Sequence, residues 1–233
     1  MKALHLSKRL QVVADYVDEG ARLADIGSDH AYLPCYLVED NKIERAVAGE
    51  VVEGPYQNAK KEVESRSLQD RIAIRLGDGL SVLKESDSIN TVTIAGMGGS
   101  LIRSILESGQ ELKKIDGSET LILQPNINER TLREYLVENN YKITDESIIK
   151  ENEKIYEIIK ANPSKEPISY TEKESLFGPV LLEVKPPIFI EKWKSMLQKN
   201  QFILSQMDQA KAADKLKKKA LKEELDLIKE VLS

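Results

Sequence analysis

Ala24-Asp25-Ile26-Gly27-Ser28-Asp29-His30 carries an apolar strand, Leu23 to Ile26, straight into a glycine turn, and Ala31 to Glu39 beyond it read as a helix. In open parallel sheets ligands gather at the carboxyl ends of the strands, and a glycine at such a turn lets the backbone come close to them. A dinucleotide fold would seat a pyrophosphate on G-x-G-x-x-G, but Gly27 is followed by Ser28, Asp29 and His30, without a second or third glycine. Asp25 and Asp29 would also repel a phosphate. An acidic turn of this kind suits a cationic ligand, such as one bearing an amine and a sulfonium.

Outward from this turn, the first 160 residues alternate short aliphatic runs with amphipathic stretches of helical length, the pattern of a parallel sheet wrapped by helices. Leu4 to Tyr16 reads as a helix, Arg45 to Gly49 as a second strand and Pro55 to Ser65 as a helix opened by proline. Further strands are Ile72 to Leu76, Asn90 to Ala95 and Thr120 to Leu123, followed by a helix from Glu129 to Asn139. Tyr141 to Ile149 and Lys154 to Lys160 predict an antiparallel hairpin closing the sheet. Pro163, Pro167 and two serines lie where the hydrophobic period changes, which predicts a boundary between a domain of residues 1–162 and one of residues 163–233. Ile188 to Leu232 lack glycine and proline and predict two antiparallel, coiled-coil-like helices, with one long helix as the alternative.

The chain has 233 residues, of which 41% are hydrophobic and 31% charged, enough for a full core without disulfide or metal support. A single cysteine, Cys35, and two histidines, His5 and His30, exclude an intrachain bridge and are too few for an ordinary zinc site. The expected compartment is the reducing cytoplasm, with no metal, no membrane association and no obligate protein partner; no apolar run is long enough to span a bilayer and the first residues lack a leader pattern. A net charge of −5 argues against indiscriminate coating of nucleic acid, yet residues 191–233 hold 10 lysines against 7 acidic residues.

Four more motifs stand at strand ends. Glu50, followed by Val51, is placed to accept both hydroxyls of a ribose. Gly77-Asp78-Gly79 gives a tight turn that aims a carboxylate at the same crevice, where it can receive an exocyclic amine. Ile94-Ala95-Gly96-Met97-Gly98-Gly99 clears side chains from the mouth of the fourth strand, and Leu123-Gln124-Pro125-Asn126 brings two amides to the rim. Singly, each has a plainer reading: a turn, a solvated strand end, a packing histidine at His30, a core thiol at Cys35, a solvated lysine face. Together they line one edge of one sheet.

These strings resemble class I S-adenosylmethionine-dependent methyltransferases. More narrowly, Asp25-Ile26-Gly27-Ser28-Asp29-His30-Ala31-Tyr32-Leu33-Pro34, Ala48-Gly49-Glu50-Val51, Gly77-Asp78-Gly79-Leu80 and Ile94-Ala95-Gly96-Met97-Gly98-Gly99, with Leu121 to Asn126, resemble the bacterial TrmK family of tRNA adenine-22 N1-methyltransferases. The resemblance implies a Rossmann-like α/β sheet with a helical C-terminal domain, S-adenosylmethionine as cofactor and tRNA as substrate. It implies that Asp25, Gly27, Ser28, Asp29 and His30 line the methionine end of the cofactor, with Glu50 and Val51 at the ribose. Gly77, Asp78 and Gly79 would stand at the adenine, and Ala95, Gly96, Met97 and Gly98 at the floor between cofactor and target base. The N-P-P-Y box of amino-directed adenine methyltransferases is absent, which favours a ring-nitrogen target.

Asp29 is the candidate to compensate the cationic N1-methylated base, and Asn126 the candidate to orient it; Met97 and Tyr32 offer stacking surfaces for an unpaired adenine. Lys8, Arg9, Lys211, Lys215, Lys218 and Lys222 are the expected phosphate contacts. Deleting residues 163–233 is then expected to spare cofactor binding and abolish tRNA methylation. A small-molecule or protein methyltransferase would share every cofactor motif, and a non-catalytic interaction protein would bind no cofactor; a dehydrogenase lacks its glycines.

Overall fold

The computed structural model describes residues 4–209 and 214–233. Its centre is a seven-stranded sheet in the order β3-β2-β1-β4-β5-β7-β6, built from β1 (Leu23–Ile26), β2 (Ala46–Glu50), β3 (Ile72–Leu76), β4 (Thr91–Met97), β5 (Thr120–Pro125), β6 (Tyr141–Glu151) and β7 (Lys154–Pro163). The first five strands pair in parallel, and the β6–β7 hairpin joins through antiparallel contacts with β5. Its turn, Asn152-Glu153, has positive φ at both residues, the mirror-image geometry that matches strand twist. Because β2 and β3 spread to one side of β1 while β4 and β5 lie on the other, the order reverses between β1 and β4, and a crevice opens at their carboxyl ends.

Both faces of the sheet are buried, so its strands read as continuous apolar runs rather than alternating ones. Leu23, Ala46, Ala48 and Ile122 face α1 (Lys8–Tyr16), α2 (Tyr32–Glu39) and α3 (Glu53–Ser65), meeting Val13, Leu33, Leu37 and Val63. Ala24, Ile26, Ile94 and Leu123 face α4 (Gly99–Glu111) and α5 (Glu129–Glu138), meeting Ile102, Leu106 and Leu132. Cys35 is fully buried in α2, and burial pushes its thiol up to about 12, as a core residue's would be.

Beyond β7 come α6 (Glu172–Phe177), α7 (Pro179–Val184), α8 (Pro187–Gln209) and α9 (Lys215–Leu232). The two long helices are antiparallel: Asn200 Nδ2 donates to Glu224 Oε1 at 2.7 Å, and Asp208 pairs with Lys218. Phe177, Leu181, Phe189, Trp193, Ile228 and Val231 form a third core that closes on Ile148 of β6.

A buried ionic network fixes this attachment. Arg133 of α5 is wholly buried; its Nε donates to Glu146 Oε1 at 2.9 Å, its Nη2 to Glu157 Oε2 at 2.5 Å and its Nη1 to the Leu176 carbonyl at 3.2 Å. Lys192 of α8 adds bonds to Glu129 Oε1 at 2.6 Å and Glu157 Oε1 at 2.7 Å. Glu146 Oε2 accepts the Val180 and Leu181 N–H groups, satisfying the first turn of α7. A cut at residue 163 would remove Lys192 and the α7 amides and bare the β6 face. The C-terminal segment therefore does not come away cleanly, and the deletion suggested by the sequence would disturb the sheet as well.

Several predicted bounds shift. The first helix starts at Lys8, with Ser7 as its cap, rather than at Leu4, and α2 starts at Tyr32 because Asp29, His30 and Ala31 all take left-handed φ. β4 and β5 run on to Met97 and Pro125, and β7 to Pro163.

Candidate active site

Five strand ends build the rim. The turn after β1 leaves the sheet through Gly27, whose N–H donates to the Gly49 carbonyl at 2.9 Å and whose φ of +71° favours glycine. A Cβ at Gly27 would lie 2.0 Å from Met97 Cε, so the β4 mouth is folded directly over the β1 turn. The Asp29 N–H meets the Glu50 carboxylate, and Asp29, His30 and Ala31 then follow in left-handed conformation. Gly77 N–H donates to the Glu50 carbonyl at 2.8 Å and ties in the β3 end.

The acidic residues divide by burial. Asp25 is only 4% exposed; its Oδ1 accepts Thr93 Oγ1–H at 2.7 Å and its Oδ2 accepts the Ser28 hydroxyl. Burial raises its pKa against these hydrogen bonds and the Arg9 charge. Asp25 thus reaches the crevice through Ser28 rather than with its own oxygens. Glu50, also buried, has its pKa raised by burial, and the Asp25 and Asp29 charges add to the effect. One of its oxygens is engaged by Asp29 N–H, which leaves the other for a ligand. Asp78 is exposed and its carboxylate takes no hydrogen bond or ion pair among the described residues. The Asp29 carboxylate stands 78% exposed at the rim, held to His30 Nδ1 at 2.7 Å, while the His30 ring stacks on Tyr32 with centroids 5.2 Å apart.

On the other side of the crevice, the β4 and β5 loops are joined. Asn126 N–H donates to the Met97 carbonyl at 2.7 Å and Gly99 N–H to the Ile127 carbonyl at 2.8 Å. A Cβ at Gly99 would sit 2.3 Å from the Asn128 carbonyl oxygen, so glycine is required there for close approach rather than for φ. Asn126 itself is exposed, with Nδ2 donating to the Gly96 carbonyl at 2.7 Å. Ala95, Gly96, Met97 and Gly98 line the same mouth, while Val51 is 63% exposed beside Glu50.

The expected phosphate contacts separate. Lys8, Lys215 and Lys222 are exposed, whereas Lys218 is paired with Asp208. Lys211 lies outside the described residues. Arg9 is not an outward cation: it is half-buried, its Nη1 donating to Gln124 Oε1 at 2.5 Å with its guanidinium 5.7 Å from the Tyr156 ring centre. Of the two amides the sequence brings to the rim, only Asn126 is exposed there; Gln124 is fully buried, a difference that nothing in Leu123 to Asn126 marks.

Two further cavities lie outside the rim. One of about 490 Å³ opens at the amino ends of β1–β3, where Arg22 and Arg71 are spent on backbone carbonyls and Arg75 on Asp87 and a carbonyl. A groove of about 760 Å³ runs from Asn126 past Arg130 to Lys199 of α8, joining the rim to the C-terminal helices.

Residues 23–230 match the model of a family described as tRNA (adenine(22)-N(1))-methyltransferase, TrmK. A Bacillus subtilis protein of that name is 44% identical over 238 aligned positions, covering 100% of this chain and 99% of the relative. A Streptococcus pneumoniae structure in complex with S-adenosyl-L-methionine superposes with a TM-score of 0.88 at 43% identity, covering 98% of this chain and 100% of the other. The structure of M. capricolum TrmK in complex with S-adenosyl-homocysteine gives a TM-score of 0.83 at 31% identity, covering 97% of each chain.

Proposed function

The chain belongs to the TrmK family of tRNA (adenine(22)-N(1))-methyltransferases, and from that premise we propose that it transfers the methyl group of S-adenosylmethionine to N1 of adenine 22 in tRNA, in the cytoplasm. The observation that carries this reading is the division of labour at the rim: carboxylates at Glu50 and Asp78 on one side, a glycine-cleared mouth with Asn126 on the other. That donor set matches a ligand with a ribose diol, an adenine amine and a cationic end.

When bound, S-adenosylmethionine supplies an electrophilic methyl on a sulfonium. Glu50 holds the ribose hydroxyls and Asp78 the adenine amine, while Gly27, Ser28 and His30 line the amino acid end above the buried Asp25. Adenine N1 keeps an in-plane lone pair at neutral pH, so no side chain has to create the nucleophile. The work left to the protein is placement, for which near-attack geometry supplies roughly 7–11 kcal/mol. Asn126 and the Gly96–Gly98 backbone orient the base, and the exposed Asp29 carboxylate compensates the positive charge that grows on the purine. N1 lies on the Watson–Crick edge, so the adenine must leave any pairing; Met97 and Tyr32 border the space it enters.

The C-terminal segment, residues 163–233, grips the tRNA body through α8 and α9. Replacing Lys215 and Lys222 by alanine is expected to weaken tRNA binding and to flatten its salt dependence by roughly 0.7–0.9 in log–log slope for each phosphate left unneutralised, with donor binding unchanged. Filter binding across a salt series checks this; an unaltered slope would place the RNA elsewhere. The reaction itself is tested by incubating purified protein and labelled donor with total tRNA from a strain lacking the protein, then mapping the methylated nucleoside. Label in N1-methyladenosine at position 22 is expected, and label in N6-methyladenosine, or without any RNA requirement, overturns the reading.

A further inference from the structure

Gly96 is an extra residue in β4: the register with β5 passes from Ala95↔Gln124 to Met97↔Pro125 and leaves Gly96 without a ladder partner, at φ +82°. A bulged residue of this kind ordinarily leaves its peptide groups to solvent. Here both are caught. Gly96 N–H donates to Gln124 Oε1 at 3.0 Å, and the Gly96 carbonyl accepts Asn126 Nδ2–H at 2.7 Å. Gln124 Nε2 in turn donates to the Pro125 carbonyl at 2.7 Å and to Asn126 Oδ1 at 3.3 Å, so the two amides and the bulge peptide close a ring.

The direction of that ring depends on which end of Gln124 is oxygen, since an amide can turn over and exchange donor for acceptor. The Gly96 N–H and the Pro125 carbonyl already favour one direction, and Arg9 locks it with a second, charged donor on the oxygen side. A guanidinium has only donors, and Nη1 stands 2.5 Å from the Gln124 atom that also receives Gly96 N–H. With Oε1 fixed there, Nε2 must face Asn126, whose oxygen must face Nε2 and whose nitrogen must face Gly96. Asn126 itself is exposed at the rim where the base is to lie.

We propose that Arg9 is a positioning residue for methyl transfer, acting through Gln124 on the Gly96 peptide and on the orientation of the Asn126 amide, and not a contact to tRNA phosphate. This rests on the reading of the rim as the methyl-transfer site. It distinguishes a change at Arg9 that disorders the site from one that removes a charge near the RNA.

The test is steady-state kinetics of Arg9→Gln and Gln124→Glu with tRNA at saturating donor and at two salt concentrations, with thermal unfolding as a check of the fold. Gln124→Glu keeps a partner for Arg9 but loses the donors to Pro125 and Asn126. Both variants are expected to lose roughly ten- to hundredfold in kcat, the scale of a misplaced reactant, with KM for tRNA within about twofold and its salt dependence unaltered. Arg9→Lys, which keeps a charged donor on a stem longer than glutamine's, should run about tenfold faster than Arg9→Gln. A raised KM with a shallower salt slope and full kcat in Arg9→Gln, alongside a normal Gln124→Glu, overturns the proposal in favour of a phosphate contact. Equal rates for Arg9→Lys and Arg9→Gln also overturn it. Wild-type protein that methylates no tRNA would instead refute the function on which it rests.

Discussion

Arg133→Met is expected to lower the free energy of unfolding by about 3–5 kcal/mol, because it leaves carboxylates in the protein interior without their main counter-ion. Glu146 and Glu157 have no exposed side-chain surface, and Arg133 donates to both. Removing Arg133 and Glu146 together should recover part of the loss, since Glu157 keeps Lys192 at 2.7 Å. The pH dependence follows from opposite shifts. Burial would raise Glu157, but Arg133 and Lys192 outweigh it and hold the carboxyl below its usual range. Its stabilising contribution is therefore full above the unfolded-state pKa and is lost as the pH falls through the lower folded value. Burial lifts Glu146 above its usual range, so its contribution has the other sign: present at low pH and lost as the pH rises through the folded pKa. Urea unfolding of Arg133→Met at neutral and acidic pH checks this: the deficit should be largest near neutrality and shrink as Glu157 protonates. A deficit below about 1 kcal/mol at neutral pH would mean that the network is not a structural joint.

Glu50→Gln is expected to cost donor affinity without costing stability. A hydrogen bond to a charged group contributes about 1.5–3 kcal/mol, which corresponds to a roughly ten- to hundredfold rise in the dissociation constant for S-adenosylmethionine. The fold should not suffer, because Glu50 is buried and its ionised form is disfavoured there by burial and by the neighbouring Asp25 and Asp29 charges. His30 opposes that shift. Since the folded pKa is raised, wild-type affinity should fall on acidification at a pH above the ordinary carboxylate range, and the glutamine variant should show no such fall. Calorimetric titrations across pH separate the two. Equal affinity in the variant at neutral pH would remove Glu50 from the donor site.

The succession of strands and helices and the closing hairpin were legible because hydrophobic period and turn chemistry agree along residues 23–160; α8 and α9 were legible as helical because their sequence lacks glycine and, after Pro187, proline, while the order of strands in the sheet had no local signature. The misread bounds have physical causes. Gly96 looks like the end of a strand, yet the bulge lets β4 continue to Met97 because two side chains replace its missing ladder bonds. Ala31 looks helical, but it is the last of three left-handed residues in the turn whose Asp29 N–H meets Glu50. The short helix α6 did carry a signal, Thr171-x-x-Glu174, which forms a capping box.

The buried network and the Arg9–Gln124 contact had no local signature. Glu157 stands in an alternating run where a charge ordinarily faces water, and only the packing of α5 and α8 on the far end of the sheet encloses it. Arg9 and Gln124 are 115 positions apart, and they meet because α1 packs across the sheet beside β5. Of the site, the carboxylates and glycines at strand ends were readable one by one; which of them are covered, as Asp25 is, depends on three-dimensional neighbours such as Thr93 and Ser28.

A crystal structure with S-adenosylhomocysteine tests the central claim most directly. The rim predicts Glu50 within hydrogen-bond distance of both ribose hydroxyls, Asp78 beside the adenine amine and the amino acid end over Gly27. Ligand bound instead among Arg22, Arg71 and Arg75 at the opposite edge of the sheet, with Glu50 and Asp78 untouched, would contradict it.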